Sequence, residues 1–243
     1  MENEMKAEEL IRVLVVGVLT LASGCVQVRD PMQPNHQDAA FEKLIDVYYR
    51  QPNVEKVIAG IPYVVTTAEK NPSVIMPMSG LYFGAVSKSL DKRDIWETAR
   101  NGLKAKWMAK VIGKALNGMK FSDLVGDNPE TITPGNLDFF WGYFLATGDE
   151  TAPRMVITRG GMVFPENAPI DLTASAAQWS AISMGKDHPI IKAELEKFAM
   201  NASEKELCNF FGESIPDPAR TLLSRSALAR IEKALANAKK QAK

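Results

Sequence analysis

Helix-start signals recur along the chain from Asp38 to the C-terminus. A helix leaves its first backbone N–H groups without partners. A side-chain oxygen just before it can accept from one of them, and proline is tolerated just inside because its missing N–H costs nothing there. Asn71-Pro72, Thr133-Pro134 and Asp217-Pro218 are cap–proline pairs. Asp94 with Glu97, and Ser203 with Glu206, have capping-box spacing. Asp38, Asp149, Thr173 and Asp187 each precede an apolar periodic run, and Gly118, Gly148, Gly160 and Gly185 stand where such runs should stop.

Apolar spacing agrees with these signals. In DIWETARNGLKAKWMAKVIGKALNG, the residues Ile95, Ala99, Leu103, Trp107, Val111 and Ala115 recur every fourth position, with Trp96 and Ile112 widening the stripe. In GNLDFFWGYFLATG, Leu137, Phe140, Trp141, Phe144 and Leu145 have the spacing of a packed helix, as do Ile191, Leu195 and Phe198 further on. From Arg220 onward the chain reads as one long helix with Leu228, Ile231, Leu235 and Ala238 as its apolar stripe. Strand signals are few. IPYVVTT from Ile61 is β-branched but holds Pro62. RMVITRGGMVFP can be a hairpin across Gly160-Gly161 or a helix from Asp149 capped at Gly160, and the helix is favoured.

The expected fold class is therefore all-α: roughly eight to ten helices in antiparallel pairs, as an irregular bundle or a short α-solenoid. Trp107 and Trp141 stand 34 residues apart, the tetratricopeptide period. Trp141, Phe144, Leu145 and Gly148 faintly resemble the first helix of that repeat. The small-residue and proline positions of the repeat do not recur, so the resemblance extends to architecture at most.

The N-terminus carries a different signal. An apolar run from Val13 to Leu21 ends in Ala22-Ser23-Gly24 and then Cys25. That run is about half the length a membrane-spanning helix needs and suits the apolar core of a secretory signal peptide followed by small residues at the cut. Glu2, Glu4, Glu8 and Glu9 are unusual ahead of such a core, and translation from Met5 would remove two of them. Leu21-Ala22-Ser23-Gly24-Cys25 resembles the lipobox of bacterial lipoproteins, with Ala22 where leucine is more usual. The resemblance implies cleavage before Cys25, a lipid on its sulfur and attachment to a membrane. Val26 follows where inner-membrane lipoproteins often have Asp, which implies the outer membrane, facing the periplasm. On this reading residues 1–24 are a signal peptide, residues 25–37 a polar, proline-containing lipidated tether, and residues 38–243 a single helical domain.

Signals for chemistry are sparse. The chain has 29 basic and 29 acidic side chains. Losing the segment before Cys25 leaves it only slightly basic, and no basic concentration argues for nucleic acid. With Cys25 lipidated, Cys208 has no partner for a disulfide and reads as a small buried apolar residue. The two histidines, His36 in the tether and His188 at a helix start, are isolated, and His188 reads as a surface residue. No HExxH, GxSxG, GxxxxGK[ST] or GxGxxG pattern occurs, so no catalytic residue, metal site or cofactor is assigned. Asp123, Asp127, Asn128 and Glu130 read as a polar loop that caps and turns.

Two regions invite a binding role. Phe139, Phe140, Trp141, Tyr143 and Phe144 put five rings in six positions, and at 100° per residue they cover most of a helix. Burial on every side is favoured. The other reading places Phe139 and Tyr143 along a groove for a peptide or an apolar ligand. The C-terminal helix is basic, with Arg225, Arg230, Lys233, Lys239, Lys240 and Lys243 against Glu232. The expected function is a membrane-anchored binding or structural module of the cell envelope with an envelope protein as partner. The alternatives are an envelope enzyme using carboxylates that the sequence does not single out, or a carrier of an apolar ligand with Met76, Met78 and Phe83 around its cavity.

Overall fold

The computed structural model describes residues 43–46, 48–165 and 171–241. The expected signal peptide and the whole tether, with Cys25 and His36, lie outside them, as does the cap expected at Asp38. The described residues form thirteen α-helices and three short 3-10 helices, with no strand. None of these helices is long and apolar enough to cross a membrane. The chain divides into two compact units. Of the described residues, those up to Gly126 together with Asp138–Asp149 form the first, and Asp127–Leu137 with those from Glu150 onward form the second.

The first unit begins with α1 (Val54–Ala59) and α2 (Ile61–Lys70). The Asn53 side chain caps α1 by accepting from the Lys56 N–H at 2.9 Å. IPYVVTT is helical throughout as part of α2, with Pro62 in its first turn, where proline costs nothing. Asn71 caps a 3-10 turn (Pro72–Val74) that leads into α3 (Ile75–Ser87). Then come α4 (Arg93–Asn101), α5 (Lys106–Leu116) and α6 (Phe121–Val125). The last helix to contribute to this unit is α7 (Pro134–Thr147), whose residues from Asp138 belong to it.

The centre of the first unit is the crossing of α3 and α7. Every residue of α3 from Met78 to Val86 is buried. A Cβ on Gly80 would stand 2.0 Å from the Phe139 carbonyl oxygen, and one on Gly142 would stand 1.8 Å from the Pro77 oxygen. A Cβ on Gly84 would meet that of Ala146 at 2.7 Å. Two small residues four apart on each helix thus let the backbones touch, as small-residue motifs do in other close helix pairs. Rings pack around this contact. Phe121 stacks on Tyr143 with centroids 4.1 Å apart and meets Phe140 edge-on at 5.0 Å. Phe83 lies 5.9 Å from Phe139. The polar tips are mostly satisfied: the Tyr82 hydroxyl donates to the Val57 oxygen at 2.9 Å, and Trp96 Nε1 donates to Ser89 Oγ at 2.8 Å. Trp141 Nε1 is buried without a hydrogen-bond partner.

The stretch expected as one helix from Asp94 to Gly118 is two. α4 ends at Asn101, Gly102 caps it, and α5 starts afresh at Lys106. The expected every-fourth stripe is only partly the buried face: Ala115 and the flanking Trp96 and Ile112 are buried, but Ala99, Leu103, Trp107 and Val111 are half-buried. Ile95 is among the exposed large apolar residues, whereas Met108 and Leu116 are buried. The capping-box spacing of Asp94 and Glu97 is not used, because α4 begins at Arg93 and Asp94 lies inside its first turn.

The second unit holds α8 (Thr151–Gly161), α9 (Leu172–Gly185), α10 (Pro189–Asn201), α11 (Glu204–Phe211), α12 (Asp217–Leu222) and α13 (Arg225–Gln241). α8 packs on α9, α10 and α11, and α13 packs on α10 and α11. The favoured helix is present, but it starts at Thr151 rather than Asp149 and runs through Gly160 to Gly161 instead of stopping there. Its glycines serve packing: a Cβ on Gly160 would meet Phe210 at 2.9 Å, and one on Gly161 would meet Phe198 at 2.4 Å. Ser203 and Glu206 form the expected capping box, at 3.2 and 2.7 Å. The cap of α9 is Asp171 rather than Thr173, accepting from the Ala174 N–H at 2.9 Å. The expected long C-terminal helix breaks at Leu223. Its buried face is Ala227, Ile231, Ala234 and Leu235, with Ala238 exposed.

Ion pairs fix the second unit. Glu194, almost wholly buried, receives Arg154 Nε at 3.0 Å and Lys197 Nζ at 2.5 Å, and both cations also reach Glu150. Arg159, 5% exposed, pairs with Asp171 at 2.5 Å and lies over the Phe164 ring. A buried charge left without its partner costs several kcal/mol, so these pairs constrain which helices meet.

The glycine crossing generates a paired test. Gly142→Ala forces a methyl group into the Pro77 carbonyl, and we expect a loss of about 3 kcal/mol or more, or no folded protein, in a thermal melt. Gly113→Ala is the contrast. Its nearest neighbour is the Arg100 guanidinium at 3.6 Å, an ordinary contact. In a helix interior that change should stabilise by roughly 0.5–1 kcal/mol.

Candidate binding groove

The two residues expected along a groove, Phe139 and Tyr143, are 6% and 8% exposed. Phe139 packs on Phe83 and Phe121, and Tyr143 stacks on Phe121. The aromatic helix is therefore covered all round, the reading favoured from its sequence, and its rings are held inside the first unit. Burial pushes the Tyr143 hydroxyl up to about 12, with the nearby Asp149 charge adding to the effect. Of the residues considered for an apolar cavity, Met78 and Phe83 are buried in the same core and Met76 is 37% exposed.

The other candidate groups are accounted for locally. His188, expected at the surface, is buried at the start of α10. Cys208 is partly buried, and burial together with the Glu204 charge pushes its thiol up, which lowers its thiolate fraction. Asp123 accepts from the Lys120 N–H at 2.8 Å, and Asn128 accepts from the Glu130 N–H at 2.9 Å. These are the capping and turning roles expected of the FSDLVGDNPE loop. Among the described residues no group of three or more His, Cys, Asp or Glu side chains is arranged to hold a metal ion.

Asp138, in α7, is the carboxyl with the most telling environment. Burial raises its pKa from 3.8 to about 6. It makes no hydrogen bond or ion pair among the described residues, so nothing offsets the loss of hydration.

The second unit carries an open groove of about 470 Å³. One wall is a single face of α9: Ser175, Gln178, Trp179, Ile182, Ser183 and Lys186. Their spacing of three, four and seven residues puts them on one side of a helix. The opposite wall is Phe210, Phe211 and Gly212 at the end of α11, with Pro216 and Pro218 beyond it. Gly212, at φ +67°, turns the chain sharply out of α11, a conformation that favours glycine.

The groove is held open by a polar clamp. Gln178 Nε2 donates to the Gly160 and Asn209 oxygens at 2.8 and 2.9 Å, and Asn209 Nδ2 donates to the Met162 oxygen at 2.6 Å. These bonds tie α9, α11 and the end of α8 together beneath the groove. α9 turns its small residues Ala174, Ala177, Ser180 and Ala181 inward. Ile182 and Met184 are buried with them, whereas Trp179 is 41% and Leu172 46% exposed. Lys186 makes no ion pair among the described residues. The lining thus offers an aromatic face, apolar edges and hydrogen-bonding groups, which suits recognition of another molecule.

No family model, no curated protein and no solved structure matches the chain.

Asp138 generates a pH prediction. The native chain holds the Asp138 proton to higher pH than the unfolded chain does. Its contribution is therefore most favourable below pH of about 4, falls as pH rises to about 6, and is level above that. Asp138→Asn should remove this slope. In denaturant titrations it should raise stability by about 2 kcal/mol at neutral pH and change little under acid conditions.

Proposed function

We propose that this chain is a lipid-anchored, periplasm-facing binding module of a bacterial envelope, and that the groove beside Trp179 takes an apolar segment of an envelope protein. Support for the anchor comes from the sequence alone: the short apolar run from Val13 to Leu21 and the lipobox-like Leu21-Ala22-Ser23-Gly24-Cys25. Support for the module comes from Trp179. A tryptophan exposed beside Ile182, Phe210, Phe211 and two prolines is the kind of rigid anchor that dominates protein interfaces.

The groove is open rather than enclosed, and its walls are a helix face and a proline-rated turn, so an extended or helical segment can lie along it. Its volume also falls within the range of small-molecule sites, about 300–1,000 Å³. That observation supports the second reading, an apolar ligand carried in the same place.

The anchor and the groove are tested separately. Mass spectrometry of the protein from membranes of a native-like bacterial host should show a chain starting at Cys25 and carrying acyl groups. An unmodified chain starting at Met1 or Met5 would remove the anchor. For the groove, a photoreactive residue at Ser175 should give a discrete set of crosslinked envelope proteins, and Trp179→Ala should abolish that set without lowering Tm by more than a few degrees. An identical set from the Trp179→Ala chain would sink the groove reading. Crosslinking to lipid or a small metabolite instead of protein would favour the carrier.

A further inference from the structure

α13 presents a second surface, independent of the groove. It packs on α10 and α11 through Ala227, Ile231, Ala234 and Leu235, a seam of two alanines and two branched aliphatic residues. At 100° per residue, Arg225, Lys233 and Lys240 point to the opposite side, and Lys239 stands on its flank. All four are exposed, and none has an ion pair among the described residues. Ala229 and Ala236 lie between them and are exposed, so the cations stand above a low, even surface.

The remaining charges near this face have other work. Glu232, the acid on the same side, is paired with Arg220 at 2.9 Å. Arg230 is turned inward: its guanidinium donates to the Ala199 and Ala202 oxygens and so closes the C-terminal end of α10. Glu204 accepts from Asn237 at 3.1 Å, and Glu196 accepts from the Ser224 N–H at 3.0 Å, both at the border of the helix. The helix therefore separates a structural arginine from four cations that make no ion pair among the described residues.

We propose that this face of α13 docks on anionic lipid headgroups. A helix of 17 residues is about 25 Å long, and a broad band of cations along it matches a flat, diffuse negative surface better than a concave protein site. Long lysine and arginine stems can reach headgroup phosphates while the helix body stays above them. The attraction is not specific to one lipid. It falls with salt, because exposed charges are screened within about 10 Å at moderate ionic strength.

The test uses the full chain with Cys25→Ser, floated with vesicles of phosphatidylcholine alone or of phosphatidylcholine with phosphatidylglycerol. Any binding through the apolar run from Val13 to Leu21 is common to both, so the difference reads the electrostatic contribution. We expect stronger binding to the anionic vesicles, reversed by salt. The triple change Arg225→Gln, Lys233→Gln and Lys240→Gln should remove more than about tenfold of it, since each such cation contributes on the order of fivefold. These side chains hold nothing in place, so an unchanged Tm for the triple variant confirms that folding is intact. Arg230→Gln is the contrasting variant, expected to lower Tm. Equal binding to neutral and anionic vesicles, or unchanged binding by a folded triple variant, would overturn the proposal. Salt-sensitive binding to soluble polyglutamate without binding to anionic vesicles would overturn it in favour of an acidic protein.

Discussion

Two backbones meet at Gly142. Its hydrogen faces the Pro77 carbonyl, and Gly80 faces the Phe139 carbonyl in return. No side chain fits at either place, so the sequence at these points is set by distance alone. The run of rings in α7 follows from the same contact. From Phe139 to Phe144 the one residue without a ring is Gly142, and it is the one turned to α3. With the helices this close, Phe83, Phe121, Phe139 and Tyr143 fill the shoulders of the crossing, and both helices are buried on all sides. A helix without a polar face can be stable in water only in such a central position.

The second unit is organised differently. Its helix seams mix alanines with aliphatic and phenylalanine side chains, and buried charges add constraints on which helices meet. Glu194 holds Arg154 and Lys197, Arg159 holds Asp171, and Arg230 closes α10. Buried pairs of this kind add little net stability, but a wrong pairing leaves a charge dry and unmatched. The small residues of the α9 seam also have a consequence at the surface. Because Ala174, Ala177 and Ala181 face inward on α9, the bulky Trp179 and Leu172 have only the outside left to occupy. The groove is thus the complement of the way α9 packs.

Much of the helical architecture was legible in the sequence because caps are local. Ser203 with Glu206, and Asn71 ahead of Pro72, act within a few residues of themselves, as does the left-handed turn at Gly118. The stripes were less legible, for a geometric reason. Every fourth residue advances 400°, so a strict four-residue repeat drifts by 40° a step. From Ile95 to Ala115 that drift exceeds a half turn, and the two cannot share a face even in an unbroken helix. Ile95 is accordingly exposed and Ala115 buried. The groove is less legible than the core because the densest aromatic run, Phe139 to Phe144, is the part that is buried. The signal that points to Trp179 is an inversion: one large ring opposite a face of alanines.

The two surfaces of the second unit obey different physics. The groove beside Trp179 is lined by one exposed cation and otherwise by neutral groups, so its contacts act at touching distance and depend on shape. Apolar contact of that kind survives salt, or strengthens with salts excluded from apolar surface. The α13 face has four cations without an ion pair among the described residues and little apolar area between them, so it acts across several ångströms and fades with salt. A single surface serving both ends would have to compromise, because a cation beside a tryptophan groove must be desolvated before the apolar contact closes. Placing Arg225, Lys233, Lys239 and Lys240 on a helix that does not line the groove removes that conflict. Ionic strength then acts on one surface while leaving the other nearly untouched.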